Sequence, residues 1–473
     1  MSGLHLWIAF AAAALLLAGC RGGGEAPQPE PEASGILAVR TTSELRGYGP
    51  PGTADPGTQA QMVYPYSGQG QVDYEGSFTI TIPTPQQGWA YPMPTEVHVN
   101  LTRDGEVLPA KAPIVWLDSR ITKPLFSTGA GPNDMVFGND SLYIANSFDN
   151  TMVRYGLDGE VLGTIAYEEN ASPSYLVLQG NRLYVSANGE NSLKCFEADT
   201  LHWASDPTVA ATYGDEELAF LGPGQPVASD HYVWLPLASI VSFGPTVYED
   251  NPSIQLLNLD LAGMPGGYGL EYGVNPQFGV YDFTRDWLLI VATGEIQFDE
   301  EWHPYATSSS HIEARSFSDQ AVAAYPEYGS IELGAVGAGR ITLDESAGVA
   351  FLGNSLNGNV YKVNTVTGEV LRGEGNPIVL TEEFTYISDV ALTPDMRYVL
   401  ATSFNTDELY VIDAQTDDVN PGPYPEPLDL SLDPELMAGA AKVEINPTPR
   451  ADGGYDVYVL YGVANAVAKI ELL

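Results

Sequence analysis

From residue 120 to its end, the chain repeats one pattern, and this constrains the fold more than any other feature. The clear copies begin near Pro132, Pro173, Arg340 and Ile387, and weaker copies cover about residues 223–262, 274–333 and 437–473. Within each copy, apolar and polar residues alternate in short stretches that are separated by turns. Period-two alternation with β-branched residues predicts half-buried strands. The sequence therefore predicts seven successive units of about 50 residues, each made of strands.

The second strand of several units carries a Tyr-Val-Thr-Asn-like segment, at residues 143–146, 184–188 and 351–354. These copies resemble the YVTN family of β-propeller repeats over roughly residues 125–473. The resemblance implies a seven-bladed β-propeller over residues 120–473. The last unit ends at its third strand, near residues 467–472, so we expect residues 121–127 to supply the missing outer strand and close the ring.

Residues 35–119 also alternate with period two, for example at 77–82 and 97–101, with turn signals between the stretches. This pattern predicts a small β-sandwich-like domain. The alternative is that these strands decorate an edge of the propeller. The expected fold class is all-β, with the propeller preceded by the small domain.

Residues 6–18 form an apolar run that is too short for a permanent membrane span and is typical of a signal-peptide core. The run ends in Leu17-Ala18-Gly19-Cys20, which resembles the bacterial lipobox, although no Lys or Arg precedes it. We expect a lipoprotein signal over residues 1–20, lipidation of Cys20 and a flexible tether over 21–34. Arg21 is not the Asp that signals the inner membrane, so the expected location is the cell envelope, at the outer membrane or cell surface.

The chain has two cysteines. Lipidation of Cys20 would leave Cys195 without a disulfide partner. Cys195 lies in an alternating stretch, so we predict that it is a buried apolar side chain and not a reactive thiol.

Acidic residues outnumber basic ones by 61 to 19, which gives a formal charge of −42. Nucleic acid is therefore not an expected partner, because phosphates are bound by clustered Lys and Arg. We expect contact with the membrane through the lipid on Cys20, and a protein or glycan partner, to which the 27 Tyr are suited. The acidity is explained by solubility or salt adaptation, or alternatively by a negative channel mouth.

The candidate chemical residues lie in the longest insertion, residues 294–311 of the fourth unit, which we expect to be irregular. It contains Glu300, Glu301, His303 and His311, which are suited to a divalent metal or to acid/base chemistry. Their spacing matches no standard metal motif, so we favour chance accumulation in an acidic loop, predict no cofactor, and leave a divalent metal open. Four acids beside inner strands are expected to satisfy turn amides: Asp134, Asp344, Asp389 and Asp395.

Our preferred interpretation is a lipid-anchored propeller that acts as a binding or protein-interaction platform, a function that needs no covalent chemistry, so enzymatic activity is left open but not favoured. The alternative is a lactonase-like propeller hydrolase that uses Glu301, His303 and His311 for catalysis, or Glu300, His303 and His311 for a metal. A third possibility, a subunit of an envelope assembly, predicts an apolar patch on the propeller rim.

Overall fold

A computed structural model describes six strands between residues 43 and 113, and residues 125–472 except 205–208, 211–220, 243–246, 249–251, 262–265, 299–303, 317–327, 382–384, 422–425, 433–436 and 452. In this described part every regular element is a β-strand. It contains no helix with the length and apolarity needed to cross a membrane. Cys20 and the expected tether lie outside the described residues.

The first six strands form two antiparallel sheets. They are β1 (Ser43–Tyr48), β2 (Gln59–Tyr64), β3 (Gly68–Gln71), β4 (Ser77–Ile82), β5 (Glu96–Arg103) and β6 (Glu106–Pro113). Strand β1 pairs with β4, and the others form a sheet in the order β3-β2-β5-β6. The strands expected at residues 77–82 and 97–101 are therefore present, and the small β-sandwich-like domain stays a prediction.

The propeller follows, and its short first strand, β7 (Phe126–Ser127), belongs to the last blade. Blade 1 contains β8 (Pro132–Gly138), β9 (Ser141–Asn146), β10 (Thr151–Gly156) and β11 (Val161–Ala166). Blade 2 contains β12 (Pro173–Gln179), β13 (Arg182–Ala187), β14 (Ser192–Glu197) and β15 (Val209–Ala210). Blade 3 contains β16 (Val227–Ala228), β17 (Tyr232–Pro236), β20 (Ser253–Asn258) and β21 (Gly266–Gly269), with the hairpin β18 (Ile240–Ser242) and β19 (Val247–Tyr248) inserted after β17.

The remaining blades repeat this order. Blade 4 contains β22 (Pro276–Asp282), β23 (Trp287–Ala292), β26 (Ser310–Ser316) and β27 (Ser330–Gly334), with the hairpin β24 (Ile296–Phe298) and β25 (Pro304–Ala306) after β23. Blade 5 contains β28 (Ala338–Asp344), β29 (Val349–Asn354), β30 (Asn359–Asn364), β31 (Glu369–Arg372) and the short β32 (Ile378–Val379). Blade 6 contains β33 (Ile387–Leu392), β34 (Tyr398–Ser403), β35 (Glu408–Asp413) and β36 (Leu428–Asp429), and blade 7 contains β37 (Ala440–Ile445), β38 (Tyr455–Tyr461), β39 (Ala466–Leu472) and β7.

The ring closes as the sequence predicts. Strand β7 pairs antiparallel with β39, so Ser127 lies opposite Ala466 and Phe126 opposite Val467. The amide of Leu125 also donates a hydrogen bond to the carbonyl of Val467 at 2.5 Å. The first propeller strand thus completes the last blade, which confirms the predicted closure for the described residues.

A buried apolar cluster fills each interface between neighbouring blades. One face of each blade packs on the blade before it and the other face on the blade after it, which is why the strands are apolar on both sides. Cys195 belongs to the cluster between blades 2 and 3 and is 1 % exposed. This confirms the predicted buried side chain, and burial raises the pKa of its thiol to about 11, as expected for a thiol of low reactivity.

Candidate functional site

A β-bulge interrupts the pairing of the first two strands in six of the seven blades. In five of them the residue directly after the bulge holds the same register position: Asp134, Tyr175, Phe278, Asp389 and Lys442. In blade 5 the irregularity spans Arg340. A bulge re-aims side chains locally, so the register places this set of residues around the centre of the ring.

Charged side chains from blades 1, 5, 6 and 7 meet there. We call them the channel cluster: Asp134, Arg340, Asp389, Lys442 and Glu444. Nη2 of Arg340 lies 3.0 Å from Oδ1 of Asp134, although their blades are separated by two others. Nε of Arg340 lies 3.7 Å from Asp389, so this one guanidinium contacts two carboxylates. A contact between distant blades requires both side chains to reach the ring centre.

Lys442 extends the cluster. Its Nζ lies 3.1 Å from Asp389 and 3.2 Å from Glu444. Two cations and three carboxylates therefore form one connected network. Asp134 and Asp389 balance the charges of Arg340 and Lys442, and Glu444 is the carboxylate in excess. Buried charges are tolerated when they are paired in this way.

Backbone amides and aromatic rings complete the surroundings of the cluster. Asp134 accepts a hydrogen bond from the amide of Leu176 at 2.8 Å, and Asp389 accepts one from Val443 at 3.0 Å. Each of these amides belongs to the inner strand of the next blade. The guanidinium of Arg340 lies over the rings of Tyr175 and Phe278, with Cζ 5.6 Å and 5.3 Å from their centroids.

The neighbouring carboxylates keep both cations of the channel cluster ionised. Burial alone would lower the pKa of Arg340, but the carboxylates of Asp134 and Asp389 outweigh it and raise that pKa. The pKa of Lys442 is likewise raised, because Asp389 and Glu444 offset the cost of burial. Both cations therefore stay charged at neutral pH.

Glu444 differs from the other members. Its pKa is raised above the ordinary value, because loss of solvation outweighs the attraction of Lys442. The matching positions of the other inner strands hold uncharged residues: Val136, Val177, Val227, Val280, Thr342 and Ala391. Glu444 is thus the one ionisable side chain at this level of the described inner strands.

The four acids predicted to satisfy turn amides divide into two kinds. Asp344 accepts from the amide of Ala347 at 3.0 Å and Asp395 from that of Arg397 at 3.2 Å, which confirms turn capping for these two. For Asp134 and Asp389 the prediction was wrong in its detail. They accept hydrogen bonds from amides of neighbouring blades and pair with Arg340 and Lys442, because the bulge directs them inward.

His311 is the second residue of β26, the third strand of blade 4 counted from the channel. Its ring packs against Gly273, where a Cβ would lie 3.2 Å from Cδ2 of the histidine, and β27 places Glu332 opposite it. Burial lowers its pKa, although Glu332 acts in the other direction. Its Nδ1 is buried and has no hydrogen-bond partner among the described residues. A neutral imidazole with a free nitrogen can accept a proton or ligate a metal.

The other candidates of this insertion, Glu300, Glu301 and His303, lie outside the described residues. The insertion was expected to be irregular, but its described part forms the β24–β25 hairpin. Within the described residues, no three His, Cys, Asp or Glu side chains are grouped so that they could hold a metal ion.

Sequence reasoning missed Arg340, Lys442 and Glu444 as partners of Asp134 and Asp389. The signal was present in the repeat itself. Aligning the units at the bulge places six residues at one position, and all six are charged or aromatic: Asp134, Tyr175, Phe278, Arg340, Asp389 and Lys442.

No protein-family model matches the chain, and no curated protein matches it either. Solved structures do match. The β-propeller domain of Cps50 (Swd1) from Myceliophteria thermophila is 12 % identical, with a TM-score of 0.52, over 73 % of this chain and 98 % of that one. Catalytically inactive virginiamycin B lyase from Staphylococcus aureus with quinupristin is 11 % identical, with a TM-score of 0.51, over 74 % and 98 %. At such identities the similarity shows the fold alone.

Proposed function

We propose that this chain is a binding or protein-interaction platform, a β-propeller of YVTN type held at the bacterial cell envelope by a lipid on Cys20. The observation that carries the proposal is the channel cluster. In it, Arg340 pairs with Asp134 and Lys442 pairs with Asp389, and each of the two carboxylates also accepts a backbone amide.

This pairing makes the ring centre a poor place for chemistry. A substrate that used Asp134 or Asp389 as a base would have to break an ion pair and leave Arg340 or Lys442 buried without its partner, which costs several kcal/mol. The cluster is better suited to holding blades 1, 5, 6 and 7 in fixed positions. Ligands would then bind at the loops and at the outer rim of a rigid ring.

The lipobox-like segment Leu17-Ala18-Gly19-Cys20 supports the proposed location at the cell envelope. The charge of −42 would repel an anionic membrane surface, so attachment depends on the acyl chains on Cys20. The tether of residues 21–34 would separate the folded part from the lipid. The partner is then a protein or glycan of the envelope or of the surroundings of the cell.

A second function, propeller hydrolysis, is favoured by one observation. Nδ1 of His311 is buried and has no hydrogen-bond partner in the part of the chain that the structure describes. Burial lowers the pKa of the imidazole, so it is neutral at neutral pH. If the insertion brings Glu300, Glu301 and His303 to this nitrogen, the group could bind a divalent metal or transfer a proton in a lactonase-like reaction.

The test is affinity capture of the full chain after cross-linking in its host, with Cys20→Ser as the control for location and a His303→Ala/His311→Ala variant in parallel. We expect a partner whose binding is reproduced with purified components and is unchanged in the histidine variant. Absence of any such partner, together with stoichiometric metal and lactone hydrolysis that the histidine variant loses, would replace the platform by the hydrolase.

A further inference from the structure

The outer strand of blade 1 differs from the outer strands of the other blades. Strand β11 has six residues, Val-Leu-Gly-Thr-Ile-Ala, and none is charged. The described outer strands of the other blades have two to five residues. Proteins usually shorten or charge an open strand edge, because its free backbone groups pair with other chains. The outer strand of blade 1 is neither short nor charged.

One side of β11 is open in the described part of the chain, where it pairs only with β10. The amide of Tyr167, directly after β11, donates to the carbonyl of Asn150 at 2.8 Å, on the β10 side. Backbone groups alternate in direction along an antiparallel strand. The N–H and C=O groups of Thr164 and Ala166 therefore point to the open side, and both residues are exposed.

A bulge makes this edge apolar. The register shift at Leu162 leaves Val161 and Leu162, two consecutive residues, exposed by 57 % and 46 %. On blade 2, Leu201 reaches to 2.7 Å from the position of a Cβ on Gly163, and Trp203, two residues further on, is 53 % exposed. We call Val161, Leu162, Leu201 and Trp203 the rim patch. It lies at the outer edge of blades 1 and 2.

Acidic residues bracket the strand. Asp158 and Glu160 precede it, Glu168 and Glu169 follow it, and all four are exposed. A second copy paired antiparallel on this edge would place the first acidic pair beside the second, so like charges would oppose that dimer. Basic residues at both ends of an incoming strand would instead match this pattern.

We propose that the open edge of β11 is a strand-addition site for an extended segment of a partner protein, in which a short uncharged stretch lies between Lys or Arg residues. The backbone of the segment pairs with Thr164 and Ala166, its apolar side chains cover the rim patch, and its basic ends meet the two acidic pairs. This inference rests on the proposed binding function and names the surface and the class of partner.

The test uses Thr164→Pro in the full chain. Proline removes an N–H that points outward, so the strand keeps its bonds to β10 but loses one that the partner needs. Thr164→Ala is the matched control, because it shortens the same side chain and keeps the N–H. The probe is the peptide Lys-Lys-Thr-Val-Thr-Val-Thr-Val-Lys-Lys, blocked at both ends, and its binding is measured by fluorescence anisotropy.

We expect Thr164→Pro to weaken binding at least tenfold and Thr164→Ala to change it less than twofold. Replacing the peptide lysines with glutamates should abolish binding, and Glu168→Lys/Glu169→Lys should weaken it severalfold. Val161→Lys/Leu162→Lys is a second variant with an intact backbone and should also lose binding. Thermal melting checks that each variant is folded.

No binding of the probe, or equal binding by Thr164→Pro, would overturn the proposal. So would a concentration-dependent dimer of the parent chain that Thr164→Pro dissociates, since the occupant would then be a second copy. Amides of Thr164 and Ala166 that resist hydrogen exchange in the isolated chain would show that the chain itself covers the edge. If Thr164→Pro still binds the partner captured with the full chain, the edge proposal fails and the platform function stands.

Discussion

At the scale of single residues, Arg340 connects parts of the ring that are not neighbours. It contacts Asp134 on blade 1 and Asp389 on blade 6 while being only 6 % exposed. Such a buried ion pair adds little net stability compared with apolar packing, but removal of one partner leaves the other charge without compensation. The contribution of Arg340 to stability is therefore measured by a substitution that removes one partner of the ion pair.

We predict that Arg340→Met destabilises the fold by about 3–5 kcal/mol, because Asp134 is left buried without its cation. Adding Asp134→Asn should restore part of that loss, since the amide oxygen can still accept the hydrogen bond from Leu176. Urea unfolding of the parent, the single variant and the double variant measures both effects. Equal stability of the parent and Arg340→Met would contradict the assignment.

A second prediction concerns Glu444, whose pKa is higher in the folded chain than the ordinary value of 4.5. Such a group binds its proton more tightly on folding, so its contribution to stability is present below pH 4.5 and is lost as the pH rises through the folded pKa. Glu444→Gln should therefore be more stable than the parent at pH 7, with a gain that shrinks toward pH 4.5. Melting temperatures across this range test it; a gain that grows on acidification would refute it.

The sequence predicts the residues of the channel only in part. Period two places Asp134 and Asp389 on inner strands, but it does not say toward which neighbour a side chain points. That direction depends on the bulge, which adds a residue and is invisible in the alternation of a single strand. It becomes detectable only when the blades are aligned with one another.

At the scale of elements, adjoining blades are joined by a buried carboxylate. Asp407, in the turn between β34 and β35, accepts hydrogen bonds from the amides of Ala438, Gly439 and Ala440 at 2.6, 2.7 and 3.1 Å. It adopts a φ of 51°, a conformation that Asp and Asn tolerate better than most residues. The turn of blade 6 thereby fixes the chain where blade 7 begins.

We predict that Asp407→Ala costs about 3 kcal/mol, because three buried amides lose their acceptor and the backbone conformation disfavours alanine. Asp407→Asn is the control, since it keeps one oxygen and the tolerated conformation, and it should lose less. Chemical denaturation compares the two. A smaller loss for alanine than for asparagine would be inconsistent with this role.

Strands are predicted well where both alternation and turns are regular, as in blades 1, 2, 5 and 6. Blades 3 and 4 are weaker in the sequence because each carries an inserted hairpin between its second and third strands. The insertion separates strands that pair in the sheet, so proximity along the chain no longer indicates pairing. In blade 4 the insertion was expected to be an irregular loop, and its described part instead forms such a hairpin.

At the scale of the whole molecule, closure of the ring depends on both ends of the propeller. We predict that deletion of residues 467–473, which removes most of β39, abolishes cooperative unfolding, because blade 7 loses its third strand and β7 loses its partner. Deletion of residues 21–34 is the control and should leave the melting temperature unchanged. Circular dichroism melts distinguish the two; a parent-like transition in the first deletion would contradict the closure.

The pairing of Ser127 with Ala466 also has a consequence for how the chain reaches this structure. On the ribosome β7 is synthesised long before β39, so the first propeller strand cannot pair until nearly the whole propeller has been made. Bringing such distant segments together costs about 5 kcal/mol in loop-closure entropy, before any packing compensates it. Folding should therefore be slow and end with a late, all-or-none joining step, while the unfinished ring stays vulnerable to proteases and aggregation.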